Sequence, residues 1–380
     1  SRNRKIVSYT QMLSKKERDF SNLYNSKYCL LTGNATTALY LTIKSLKLKK
    51  NSKILLPNSA CQHVPIAITL AGHKPSFIDV DPKNFGLNLS LIKKNYNKKI
   101  KAVIAIHAYG MQCDIKKISM FCKKKKIYLI EDSALYFNLK KKRGKMKFYG
   151  NAAVFSFGKG KIIDLGIGGA VLTNNKKTFD NMKIIEQKLP SVSSKVIEKI
   201  DSLNSSHTKI YNKYYLNNKI DIMRIEYKKI LKKYSKNLLF KLKNKNFFKQ
   251  DFTQKYINQL INKRLKKFNY LKKKLLTISN KFFHVQNTTG VPWRLNIFFH
   301  NQHIRNYILK SLLKKKIKVS SWHPSLDLFF GKRNSTLIKS FPVSDKISKS
   351  ILNFWINEEV NKSYFDKIFI NLKKTKKQII

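Results

Sequence analysis

The chain predicts an α/β fold, with a large domain followed by a smaller α/β unit, as 380 residues allow. Three observations carry that expectation. Apolar runs of strand length alternate with amphipathic stretches through the first half of the chain. Two such runs, Ala152–Phe157 and Gly169–Thr173, flank a glycine-rich loop holding Lys159 and Lys161. A third, Ile127–Asp132 (IYLIED), ends in two carboxylates at the strand terminus where open α/β sheets meet their ligands.

Taken in order, Ser14–Tyr24 reads as an amphipathic helix and Tyr28–Leu31 as a short strand. The turn Thr32–Thr37 (TGNATT) leads into helix Ala38–Leu46. Small and hydroxyl residues at a helix start serve as an ordinary cap or as an anion site, since free N–H groups and the helix dipole point there. Strand Lys53–Leu56 ends at Pro57, and NSACQHV leads into a helix through Leu70. Strand Pro75–Val80 follows, with Asp79 and Asp81 expected to cap its turn. Then come strand Lys101–His107, helix Ile115–Lys125 with a lysine-rich outer face, and the IYLIED strand. Beyond the lysine loop, helices are expected at Lys177–Gln187, Ile210–Tyr234 and Gln254–Ile278. The smaller unit opens at Gly290–His300, with strand Leu295–Phe299, helix Ile304–Lys315, strand Ile317–Ser321 and a last helix from about Glu358 to Lys373. Arg294 and His323 sit beside strands that can face a cleft, although Arg294 reads first as a surface salt-bridge residue.

Alone, FSFGKGK is a hairpin with solvated charges. The carboxylates upstream give its lysine a partner. A lysine framed by small residues and desolvated in a cleft loses part of its proton affinity, and its neutral amine attacks a carbonyl. A lysine imine paired with a strand-end aspartate is the arrangement that pyridoxal phosphate (PLP) needs.

Five segments follow one another: TGNATTAL, ILLPNSACQHVPIAITLAGHKPSFIDVDP, AVIAIHAYGMQCDI, IYLIEDSA and FSFGKGK…GIGGAVLTN. In order and spacing the chain resembles the DegT/StrS family of PLP-dependent sugar aminotransferases, densely from Tyr28 to Asn174 and weakly near the C-terminus. The FGKGK wording, in place of a proline-threonine-lysine run, resembles a less-studied branch. The resemblance implies PLP-dependent transferase fold type I: a large domain with a mixed, mostly parallel sheet over residues 1–283, including a helical linker region at about 176–283, and a small C-terminal α/β domain over 284–380. It also implies a homodimer with active sites at the subunit boundary.

Residue by residue, the resemblance assigns Lys161, by its spacing from Ser156, to the bond with the cofactor aldehyde, and Asp132 to the ring nitrogen. Lys159 is expected to be solvated, and Glu131 to serve loop contacts. Ala35, Thr36 and Ser156 match the phosphate cradle; Cys61 stands where relatives stack an aromatic on the ring, with His63 near enough to share that role or to be structural. Departures are Ala35 for glycine, Cys61 for an aromatic, and Leu135 where relatives carry glutamine or histidine near the cofactor's phenolic oxygen. No position clearly matches the asparagine that a partner subunit extends to the phosphate. The activity implied is transfer of an amino group, from glutamate, to a nucleotide-linked keto-sugar in glycan or secondary-metabolite biosynthesis. Two alternatives stay open: a PLP-dependent sugar dehydratase, although such relatives replace the lysine with histidine, and a degenerate non-catalytic homologue acting as a binding protein.

The net charge of +59 is extreme, yet the lysines are scattered, with short runs at Lys123–Lys126, Lys140–Arg143, Lys272–Lys274 and Lys314–Lys316. A nucleic-acid binder concentrates its charge in a stripe, so compositional drift explains the bias better and no specific nucleic-acid partner is expected. No run approaches the roughly 18 apolar residues of a membrane span, and SRNRKIVSYT lacks the apolar core of a secretory signal. The four cysteines form no CxxC and no zinc spacing, which points to a reduced, cytoplasmic chain without a metal site.

Overall fold

The computed structural model describes residues 9–138, 146–217, 219–242, 252–279, 282–331 and 341–379, so the run Lys140–Arg143 lies outside the described residues. Helix α1 (Tyr9–Tyr24) precedes β1 (Tyr28–Thr32), α2 (Ala35–Ser45), β2 (Lys53–Pro57), α3 (His63–Leu70), β3 (Lys74–Ile78), α4 (Leu89–Asn95), β4 (Ile100–Ile106), α5 (Ile115–Lys124), β5 (Tyr128–Asp132), β6 (Ala152–Ser156) and β7 (Gly169–Thr173). The seven strands form one sheet in the order β1-β7-β6-β5-β4-β2-β3. Neighbours from β6 through β3 run parallel, whereas β7 is antiparallel to both β6 and β1. Parallel neighbours need a long crossover, usually helical; β6 and β7 are joined by the lysine loop without a helix, and β7 returns antiparallel.

Both faces of this sheet are covered, and the strands alternate between two cores. Leu30, Ile54, Leu56, Ile104, Ile130, Val154 and Val171 pack with α2 and α3. Leu55, Val103, Ala105 and Leu129 face the opposite way, against α4 and α5. The two-residue period explains the continuous apolar runs: each residue is buried, on one side or the other. On α5 the same logic holds at helical spacing, with Ile115, Ile118 and Cys122 inward and Lys116, Lys117, Lys123 and Lys124 in solvent. From β2 the chain goes outward to β3, then returns to β4 on the other side of β2 and proceeds to β5 and β6. That reversal opens a crevice at the carboxyl ends of β2, β4, β5 and β6.

After α6 (Lys176–Gln187), the expected single helix Ile210–Tyr234 is two helices, α7 (Ser194–Tyr214) and α8 (Ile220–Tyr234). Ser193 starts α7 early by capping the Val196 N–H. The break falls where the Asn217 side chain donates to the Lys213 carbonyl and Lys219 leaves helical geometry (φ −96°, ψ 58°). The two helices close into a hairpin around Ile210, Tyr211, Tyr215, Met223 and Tyr227.

Helix α9 (Gln254–Leu276), β8 (Phe283–Val285), β9 (Leu295–Phe299), α10 (Gln302–Lys314), β10 (Val319–Ser320), α11 (Asp327–Phe330), α12 (Pro342–Ser350), β11 (Ile351–Phe354) and α13 (Lys362–Ile379) complete the described chain. Their strands make an antiparallel sheet, β10-β11-β9-β8, packed on α9, α10 and α13 through Leu271, Leu275, Ile297, Ile308, Leu312, Leu352 and Ile368. Asp79 ties the two sheets together. It accepts from the backbone N–H of Val343 (3.0 Å) and Ser344 (2.9 Å), at the N-terminus of α12 rather than within its own turn alone.

Candidate active site

The loop between β6 and β7 is held from within by Asp164. One of its oxygens accepts the Gly160 N–H (2.7 Å) and the other the Gly166 N–H (2.9 Å). Gly160 sits at φ +77°, a left-handed conformation that favours glycine. From outside, the buried Arg264 of α9 donates to the carbonyls of Lys161 (2.9 Å) and Trp293 (2.8 Å), and the Trp293 indole donates to the Gly160 carbonyl (3.0 Å). The backbone of Lys161 is thus fixed, and its side chain enters the crevice. Burial, reinforced by Arg294, pushes the amine below its ordinary value of 10.5, while Cys61 and Asp132 pull the other way. Lys159, two residues earlier, is exposed as the sequence suggests.

Asp132 ends β5 and is 4% exposed. One carboxylate oxygen accepts the Ala134 N–H (2.9 Å). Burial raises its pKa above the usual carboxylate value, and the Ala134 N–H and Lys161 oppose that rise. Lys161 and Asp132 thus lie near enough to act on each other's protonation. Cys61 faces both: burial raises its thiol pKa, Lys161 lowers it and Asp132 adds to the rise. Glu131, one residue away, faces the far side of the sheet. It accepts from the Tyr149 and Gly150 N–H groups and pairs with the His107 Nε2 at 3.1 Å.

The turn after β1 completes the site. Asn34 caps α2 by accepting the Thr37 N–H (2.7 Å) and bridges to Gly168 at the start of the helix. Ser156 lies opposite Gly169 in the ladder, and Gly169 lies opposite Thr32. A Cβ on Gly169 would stand 2.7 Å from the Ala35 nitrogen, so only glycine lets these turns converge. The structure accordingly brings Ala35, buried Thr36 and half-buried Ser156 to one corner of the sheet. Leu135 is in the hydrophobic core beside Tyr109, Phe137 and Ile162.

Arg294 requires a correction. It makes no surface salt bridge; it is buried, donates to Ser320, and its guanidinium lies 4.1 Å from the Trp293 ring and 3.3 Å from that of Trp355. Two indole faces replace a carboxylate as the counterpart of its charge, and burial lowers its pKa to about 9. Tyr109, His207 and Trp322 are site residues that sequence reasoning missed. Tyr109 accepts the His323 N–H (2.8 Å) and approaches the Ser59 hydroxyl at 3.4 Å. His207 stacks on Trp322 with ring centroids 5.1 Å apart. The aromatic of AYG was visible in sequence, but nothing local marked a histidine in a polar helix as buried.

The donor set fits pyridoxal phosphate. It offers a desolvated amine, a buried carboxylate beside it, and a corner of small and hydroxyl residues at the N-terminus of α2. The sheet order, its antiparallel β7 and the small antiparallel sheet define the class: the fold of the PLP-dependent aminotransferases. Among solved structures, it superposes on Helicobacter pylori PseC, an aminotransferase of pseudoaminic acid biosynthesis, with a TM-score of 0.75 at 15% identity, covering 99% of this chain and 94% of that one. It also matches NtdA of Bacillus subtilis, solved with bound cofactor PMP, with a TM-score of 0.71 at 16% identity over 97% and 77% of the two chains. The chain belongs to the DegT/DnrJ/EryC1/StrS aminotransferase family, whose model matches residues 2–205. It is 30% identical over 175 residues to a GDP-perosamine synthase of Escherichia coli O157:H7, covering 46% of this chain and 48% of that protein. The chain spans about half the length of the curated relatives it matches.

Proposed function

We propose that the protein transfers an amino group, with glutamate as donor, to a nucleotide-linked keto-sugar. The meeting of Lys161 and Asp132 in one buried crevice carries this reading. Pyridoxal 5′-phosphate, when bound, supplies the aldehyde carbon and an electron-accepting ring. The lowered proton affinity of Lys161 keeps a larger share of its amine neutral and nucleophilic. Once displaced by the amino donor, the same amine is positioned to take and return a proton as general acid–base. Asp132 holds a proton at the ring nitrogen, and its negative charge favours that cationic form. Cys61 would lie beside the ring, and Ala35, Thr36 and Ser156, at the N-terminus of α2 and the end of β6, would hold the phosphate.

The GDP-perosamine synthase relative supports the substrate class. A homodimer is part of the proposal, and exposed Ile184, Ile222 and Ile225 offer apolar surface for a partner copy. So is a cytoplasmic setting, which suits four free cysteines; among the described residues no helix is long and apolar enough to cross a membrane.

Purified protein mixed with pyridoxal phosphate should acquire a visible absorbance band that Lys161→Ala abolishes. Glutamate should then bleach it and release 2-oxoglutarate. An intact protein with no band would overturn the proposal.

A further inference from the structure

The crevice above Lys161 is roofed by the chain's own helical hairpin. His207, on α7, is 1% exposed and packs on Trp322, Tyr227 and Phe329 with centroid distances of 5.1, 5.1 and 5.0 Å. Asn204, one helical turn earlier, reaches the side chain of His63 on the crevice wall. His323, next to Trp322, lies under the roof with its ring parallel to Trp293 (6.1 Å, 8°).

Both ring nitrogens of His207, both of His323 and Nε2 of His63 are buried without a hydrogen-bond partner among the described residues. A buried polar atom without a partner is costly, and here five such atoms belong to three neighbouring imidazoles. Their positions are linked: Lys161 acts on His63 and on His323, and His207 acts on His323 and is acted on by His63. Burial disfavours the charged form of all three imidazoles, with Lys161 adding to the effect at His63 and Lys161 and Arg294 at His323; His63 is lowered to about 4 and His207 to about 3. A neutral imidazole offers one donor and one acceptor. That pair complements a hydroxyl, which also donates and accepts, and gives no charge to a phosphate.

We propose that the α7–α8 roof forms the sugar-ring subsite, with His207, His63 and His323 hydrogen-bonding the hydroxyls of the substrate's hexose. This rests on the aminotransferase reading and deepens it.

The test uses full-length protein loaded with pyridoxal phosphate and measures dissociation constants by tryptophan fluorescence. Probes are a panel of GDP-, UDP- and dTDP-linked hexoses, including GDP-perosamine, against the bare nucleoside diphosphates. His207→Leu should weaken the best sugar nucleotide about tenfold to a hundredfold more than its bare nucleotide, and His207→Gln, which keeps a donor and an acceptor, should restore most of that difference. Asn204→Leu, on the exposed rim, should give the same pattern at smaller size and covers the case in which His207→Leu does not fold. Equal losses for sugar nucleotide and bare nucleotide, or none in either, would overturn the subsite. So would a wild-type protein that turns over glutamate yet discriminates no panel member from its nucleotide. A wild-type protein that leaves glutamate untouched sinks the aminotransferase reading instead.

Discussion

Glu131 and Asp132 stand side by side at the end of β5 and live in opposite surroundings. Behind the sheet, Glu131 is saturated: two backbone N–H groups and an imidazole occupy its oxygens, and His107 in turn accepts the Cys113 N–H at 3.3 Å. In front, the Asp132 carboxylate keeps one backbone contact and shares its surroundings with the Lys161 amine and the Cys61 thiol. The difference separates architecture from chemistry. A closed network spends all its hydrogen bonds on holding the chain, whereas an open one holds capacity for something that arrives later.

Substitutions sharpen that contrast. The largest effect is expected at the open side: Lys161→Ala should lower the amino-transfer rate by about four orders of magnitude, with little change in melting temperature, read by glutamate turnover and calorimetry together. Glu131→Ala should do the reverse. It orphans two buried N–H groups and an imidazole, and should cost about 3–5 kcal/mol of stability in denaturant titrations. Equal damage to turnover and stability in both variants would erase the distinction. Asp132→Asn should reduce turnover about a hundred- to a thousandfold and shift the pH profile of cofactor loading. Loading needs the neutral amine and is lost as pH falls through the Lys161 pKa, which lies below 10.5. Asp132 raises that pKa, so its removal should move the inflection to lower pH; an upward move would contradict the proposed pairing.

Glu17 is an intermediate case, and its effect is the smallest. Its side chain accepts only the Leu31 N–H (2.9 Å) among the described residues, and burial raises its pKa to about 7 from 4.5. The folded state therefore binds the proton more tightly than the unfolded chain. Its stabilising contribution is full below pH 4.5 and is lost as pH rises through 7. Glu17→Gln keeps the acceptor without the charge and should stabilise the protein by up to about 3 kcal/mol at pH 8, with the difference vanishing below pH 4.5, in melts at pH 8 and pH 4.

The strands were legible because their signals are local, and the resemblance placed Lys161 and Asp132 on the loop and strand end that the structure brings near each other. A buried parallel strand is a short apolar run, and β4, β5, β6 and β7 start and end within a residue or two of their expected positions. Spacing from Ser156 singled out Lys161 without any three-dimensional information. The roof was not legible. In a chain of net charge +59, lysine obscures helical faces, and the end of α7 depends on the Asn217 side chain bonding back to Lys213. The burial of His207 comes from Trp322 and Phe329, more than a hundred residues away. Arg294 was misread for the same reason: its indole neighbour Trp355 is remote in sequence, and a cation between two aromatic faces leaves no mark resembling a salt bridge.

Arg264 has a consequence of a mechanical kind. By gripping the Lys161 and Trp293 carbonyls at once, it rivets the reactive loop to the helix that backs the small sheet. The amine is carried on a part shared by both sheets, so a displacement of one relative to the other reaches the reaction centre undamped, through a side chain that touches none of the reacting atoms.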